Sequence, residues 1–180
     1  MATLYQLKIT LRGSKPPIWR RVQVPGKFTL AQLHEVIQAA MGWYSSHLYQ
    51  FEIGSEFYSN PAFEFEDSRS DRTLALTRLI PGEKFKFHYA YDMGDDWGHT
   101  ILVEKVLSAD PKTQYPLCLK GKRACPPEDC GGIWGYGSFL ETIADPNHPD
   151  HEDMLEWVGG SFDPEAFDLA AVNDRLQSMR

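Results

Sequence analysis

Hydrophobic and polar positions alternate strictly in one stretch of this chain. Phe85, Phe87, Tyr89 and Tyr91 take turns with Lys86, His88, Ala90 and Asp92, the period of two that marks a strand with one buried face. Asp92, Gly94, Asp95, Asp96 and Gly98 then break the run as turn formers do, and alternation resumes over residues 100–106. The pattern predicts a hairpin carrying three aspartates at its tip.

The same reading extends to the rest of the chain. Residues 4–12 alternate through Tyr5, Leu7, Ile9 and Leu11 and turn into a partner strand over 18–24. Strict alternation sets Arg20 on the apolar face with Ile18 and Val22 and turns Trp19 and Arg21 away. Either a bulge shifts the register, or one of Arg20 and Arg21 sits against the core and needs a carboxylate partner, with Asp92 or Asp95 expected. Thr29 and Gln32 then form a capping box, with Leu30, Leu33, Ile37, Ala40 and Met41 on one helical face and Gly42 as terminator. Residues 48–53 and 56–59 flank Gly54 and Ser55 as a second hairpin. Residues 61–71 mix aromatics and acids without period and read as a loop. A short helical turn over 74–80 leads into the central strand.

The last third has a different texture. Two prolines and two glycines between Cys125 and Gly132 exclude a regular element and predict a shaped loop. Helices are expected over 137–144, over 149–157 and from Asp163 and Pro164 onward, carrying Phe167, Ala170 and Leu176. The order of elements predicts an α+β fold with a β-grasp-like, ubiquitin-like mixed sheet and one amphipathic helix. Residues 1–110 form that core, and 111–180 form a loop-rich, acidic helical extension packed on it, all within one domain.

A content of 42% hydrophobic and 13% aromatic residues suits a substantial core. No apolar run is long enough to span a bilayer, and the start of the chain lacks the signature of a signal peptide. Three cysteines are an odd number, which favours a reducing compartment over a disulfide framework. The expected location is the cytoplasm. Net charge is −7 but unevenly spread: residues 1–123 hold 16 Lys and Arg against 13 Asp and Glu, whereas 124–174 hold 12 acids and no Lys or Arg. The acidic third disfavours phosphate partners and suits a basic protein, a small cationic ligand or a divalent metal.

Three constellations could carry chemistry. Asp92, Asp95, Asp96 and His99 offer oxygen and imidazole ligands across a tight turn, while the plainer account has the aspartates bonding the turn's own amides and Trp97 anchoring it in the core. Cys125 and Cys130 are spaced near the upper limit of a zinc pair, against the default of partly buried thiols. His148, His151 and Glu152 resemble metal-binding pairs but lack the spacing of a zinc protease. Loops that concentrate polar groups on a rigid scaffold tend to form sites. The three stretches are therefore expected to wall one pocket of Asp92, Asp95, Asp96, Trp97, His99, Glu128, Asp129, His148 and His151, with Trp134 or Tyr136 as an aromatic wall for a cation. Within it, Asp95, His99 and His151 are the expected metal ligands. Arg20, Arg21, Lys122 and Arg123, with Lys15, Lys120 and Trp19 nearby, form the basic cluster that a nucleic acid would use, against the plainer account of a solvated surface. No phosphate-binding glycine loop and no nucleophile elbow is present.

The segments PPIWRRVQVP, LHEVIQAAMGW, HLYQF, YAYDMGDDWGHTI, YPLCLKGKRACPPEDCGG, GYGSFLETIADPNHPDHEDM and WVGGSFDPEAFD resemble the Ri-plasmid ORF-three-like family, whose members are often labelled transposon passenger proteins. The resemblance covers nearly the whole chain. It implies an association with plasmids or mobile elements and no particular activity. The family pattern places an aliphatic residue where Cys130 stands, which weighs against a two-cysteine role. The leading reading is a binding or interaction module. The alternatives are a metal-dependent hydrolase built on Asp95, Asp96, His99 and His151, and a nucleic-acid accessory protein.

Overall fold

A computed structural model describes residues 1–179. The first alternating stretch forms strand β1 (Thr3–Leu11), which returns as β2 (Trp19–Pro25). Helix α1 (Leu30–Met41) opens on the expected capping box, with Thr29 accepting from the Gln32 amide and the Gln32 side chain accepting from the Thr29 amide. It stops at Gly42, whose φ of 124° is a conformation that L side chains rarely adopt. The second hairpin is β3 (Tyr49–Ile53) and β4 (Glu56–Ser59). The segment expected to be a loop contributes a 3₁₀ turn, Pro61–Phe63, and a short strand β5 (Ser68–Ser70) that pairs in parallel with β4. Helix α2 (Leu76–Leu79) precedes the central hairpin of β6 (Lys86–Tyr91) and β7 (Trp97–Ser108).

The remainder departs more from its pattern. Strand β8 (Leu117–Lys122) pairs with β2; its sequence, LCLKGK, has too little alternation to announce a strand. Helix α3 (Gly132–Ala144) begins five residues earlier than the expected start at 137, with Ile133 and Tyr136 already packing inward. Helix α4 is His151–Trp157 and α5 is Leu169–Ser178. The last helix does not start at Asp163 and Pro164. Asp163 instead accepts from the Glu165 amide in a turn, and Asp168, accepting from Ala171, is the cap. Both aspartates precede an equally plausible first turn, and the tertiary position of Phe167 against Arg20 separates them.

The strands form one sheet in the order β5-β4-β3-β6-β7-β1-β2-β8. Strand β1 lies antiparallel to both β2 and β7, and β4 with β5 is the parallel pair. The fold is therefore mixed α+β, and the pairing is a property that the element order did not specify. One sheet face carries Leu7, Ile9, Val22, Phe51, Phe87, Tyr89, Ile101 and Val103 into a hydrophobic cluster with α1 and with Tyr136, Phe139 and Leu176 of the later helices. Trp97 is fully buried in this cluster, as expected, 5.7 Å from the Trp43 ring. The other face is left half-exposed at alternate positions.

Arg20 is buried on the core face. Its partners are not Asp92 and Asp95: the guanidinium donates to the carbonyls of Ala40, Trp19 and Lys122 at 2.8, 2.9 and 3.1 Å and lies over the Phe167 ring. Carbonyls at the C-terminal end of α1 carry partial negative charge and serve a cation in place of a carboxylate. Burial lowers its pKa from the ordinary value. Arg21, on the open face, instead makes a two-pronged pair with Glu104 at 2.7 and 2.8 Å.

Candidate functional site

Three connections meet at the end of the sheet where β3 and β7 begin and β6 ends: the 42–48 segment after α1, the 92–96 tip of the central hairpin, and the 123–131 loop between β8 and α3. Turn chemistry shapes the tip, since Asp92 Oδ1 accepts from the amides of Gly94 and Asp95 at 3.0 and 3.2 Å. Side chains then tie the loops together. The Trp43 indole donates to the Pro126 carbonyl at 3.0 Å. Glu128 Oε1 accepts from the Tyr91 hydroxyl at 2.7 Å and from the Tyr44 amide at 3.1 Å, and Tyr91 in turn accepts from the Ser46 amide. Asp95 Oδ2 accepts from the Gly131 amide at 3.1 Å. Gly132 follows at φ 70°, and a Cβ there would collide with the Asp95 carbonyl, so only glycine lets α3 approach the hairpin this closely.

What this scaffold encloses is an acidic cluster around a histidine. His47 Nε2 lies 2.8 Å from Asp129 Oδ1 and 3.6 Å from both Asp92 Oδ2 and Glu128 Oε2. That nitrogen is shielded from solvent yet makes no aligned hydrogen bond. His47, Asp92 and Asp129 each offer a ligand atom within 4.8 Å of the others, the arrangement a small cation needs. His47 also borders a cavity of about 630 Å³ lined by His34, Glu35, Ser45, Tyr49 and Arg72. Burial drives the Tyr91 hydroxyl well above its usual range, with the hydrogen bond to Glu128 adding to it, so it stays a donor to the carboxylate.

The expected residues divide by position. Asp92, Asp95, Glu128 and Asp129 come together across the two loops. Asp96 is exposed beside them at φ 54°. His99 does not join them: it is fully buried in the core, 5.4 Å from the Trp43 ring, with Nδ1 3.3 Å from the Tyr89 carbonyl. Burial pushes its pKa down to about 4, which makes it a neutral packing residue. The period of two explains this, since His99 shares the inward face of β7 with Trp97 and Ile101. His148 accepts from the Asp150 amide, and His151 Nδ1 pairs with the Thr142 carbonyl at 3.0 Å. Their segment meets the 123–131 loop at a separate groove lined by Asp129, Phe139, Asp150, Met154 and Trp157. The expected metal set of Asp95, His99 and His151, and the hydrolase built on it, is thus not assembled.

Trp134 projects into solvent, 89% exposed, and Tyr136 is buried, so neither walls the acidic cluster. Cys125 and Cys130 are free thiols, both pushed up by burial, Cys130 to about 12, as partly buried thiols are. Arg20 and Arg123 are buried, the latter bonded to Glu165 and to the Pro16 carbonyl, and of Arg20, Arg21, Lys122 and Arg123 it is Lys122 whose side chain has no partner among the described residues. Sequence reasoning missed His47 and Tyr91. His47 ends a polar Ser-Ser-His run that begins three residues after the helix terminator Gly42, a signal that draws notice only when the run is known to face the aspartates.

These features define a two-layer α+β protein with an acidic, imidazole-bearing cluster at one end of its sheet. The chain belongs to the plasmid pRiA4b ORF-3-like protein family, whose model matches residues 3–171. It is 40% identical over 182 residues to "Uncharacterized protein y4hQ" of Sinorhizobium fredii (strain NBRC 101917 / NGR234), an alignment covering 99% of this chain and 93% of that one. It is also similar to the crystal structure of "Protein of Unknown Function MM3350" from Methanosarcina mazei Go1, with a TM-score of 0.86 and 36% identity, covering 94% of this chain and 97% of that one. Among the described residues no helix is long and apolar enough to cross a membrane.

Proposed function

We propose that this chain is a binding module whose site takes a divalent cation between His47, Asp92 and Asp129, with Glu128 alongside. The observation that carries it is the convergence of three carboxylates within 3.6 Å of one imidazole nitrogen. Like charges this close repel unless a positive partner stands among them, and a protonated imidazole supplies only one charge against three. One nitrogen with carboxylate oxygens suits zinc or manganese better than calcium. The adjoining cavity gives a ligand room to reach the ion.

The module is read as one domain on a β-grasp-like scaffold, with α1 laid across the sheet. The family's description supports service to a plasmid or mobile-element system, and three free thiols suit the reducing cytoplasm. Calorimetric titration of metal-free, untagged protein with Zn²⁺ and with Mn²⁺ tests the proposal. One ion per chain is expected, lost in His47→Ala and in Asp92→Asn. Equal heats from wild type and both variants, or none from wild type, would discard it.

A further inference from the structure

Strand register assembles something on the open face of the sheet that no short stretch of sequence contains. Lys120 of β8 stands opposite Arg21 of β2, Arg21 opposite Lys8 of β1, Lys8 opposite Leu102 of β7, and Leu102 opposite Lys86 of β6. Four cations therefore share one cross-strand row over five strands, about 19 Å at the usual strand spacing of roughly 4.8 Å. The next row runs Lys122, Trp19, Thr10, Thr100 and His88. Lys8 and Arg21 both sit over the Trp19 ring, at 4.9 and 5.1 Å, so the aromatic and cationic groups form one patch.

Like charges directly opposite in a sheet destabilise it, so this array works against the fold. Glu104 relieves part of that by pairing Arg21, and Glu52 stands farther along on β3, opposite His88. Lys8, Lys86, Lys120 and Lys122 form no ion pair among the described residues. Most acids of residues 124–174 lie in the α3–α5 region, which packs on the core side of the sheet through Tyr136, Phe139 and Phe167, the last over the buried Arg20, and so away from the patch.

We infer that this face docks single-stranded nucleic acid. Charge complementarity selects a polyanion, and the tryptophan within the lysine rows supplies a stacking platform for bases. The row spans about 19 Å, wider than the roughly 12 Å of a major groove, which favours a single strand laid along it, its bases on the tryptophan, over a duplex. The docking surface is independent of the cation site, and Arg20 and Arg123 take no part in it.

The test is fluorescence anisotropy with a labelled 20-nucleotide oligothymidylate across a series of salt concentrations. Binding should weaken with a log–log salt slope of about −3, as four phosphate contacts on a single strand require. Replacing Lys8, Lys86, Lys120 and Lys122 together by alanine should cut affinity at least tenfold and flatten the slope. Replacing Lys27, Arg78 and Lys112, which lie off this face, should change neither. No binding at low salt, equal loss in both variants, or equally tight competition by polyglutamate of matching length would overturn the inference. Tighter binding of a blunt duplex would do the same.

Discussion

Two histidines, His99 and His47, stand beside neighbouring aromatic rings, Trp43 and Tyr91, 5.1 Å apart, and do opposite things. His99 edges onto Trp43 inside the core, neutral and closed off, while His47 edges onto Tyr91 from the loop side and faces three carboxylates. The core region solves its polar groups inward. His34 pairs with the Tyr89 hydroxyl at 2.7 Å and with Ser45 at 2.9 Å, and Gln38 donates to the same hydroxyl. The cluster at the rim solves its charges only partly. What separates the regions is the backbone beneath them: strand geometry delivers side chains to a packed interior, whereas left-handed positions such as Asp92 and Asp129, at φ 63° and 60°, point carboxylates at one another.

The contrast predicts a graded set of outcomes. The largest is Trp97→Ala, which empties a fully buried site and should cost about 3–5 kcal/mol in denaturant melts; an unchanged midpoint would mean that Trp97 is not part of the core. Acid should expose the buried histidines next. His99, with a folded pKa of about 4 against an ordinary 6.5, and His34, lowered to about 3, are both neutral when folded. Below about pH 6.5 the unfolded chain binds protons that the folded chain refuses, so stability falls as pH drops toward 4. For His99 alone the loss is on the order of 3 kcal/mol. Stability that held flat from pH 7 to 4 would place both imidazoles in water.

Smaller effects belong to the rim. Tyr91→Phe deletes the hydroxyl that links Glu128 to the Ser46 amide and should cost about 1–2 kcal/mol. His47→Ala should shift metal-free stability by under about 0.5 kcal/mol, as substitutions outside a core do. Zinc at one hundred times its dissociation constant should stabilise the wild type by about 2.7 kcal/mol and leave His47→Ala unmoved. A large metal-free loss in His47→Ala would make the rim a structural region like the core and erase the contrast.

Sequence alone determined most of the local structure. Alternation places β1, β2, β6 and β7, the Thr29 and Gln32 pair starts α1, and the turn residues mark the hairpin tip, because each depends on neighbours within a few positions. The same period sets one arginine of the Arg20–Arg21 pair against the core, and the register of β2 decides that it is Arg20. Tertiary structure alone decided the rest. Arg20 finds carbonyls and not a carboxylate because α1 ends above it, an approach set by packing across the sheet. His99 leaves the site because β7 begins at Trp97, turning it inward with the rest of that face, whereas a turn continued to His99 would have left it outside. His47 enters because the segment after α1 folds against loops 45 and 82 residues away along the chain, a closure that no local pattern encodes. The lysine row exists only once five strands are in register, since pairing between strands is chosen by burial of the opposite face and not by the lysines themselves.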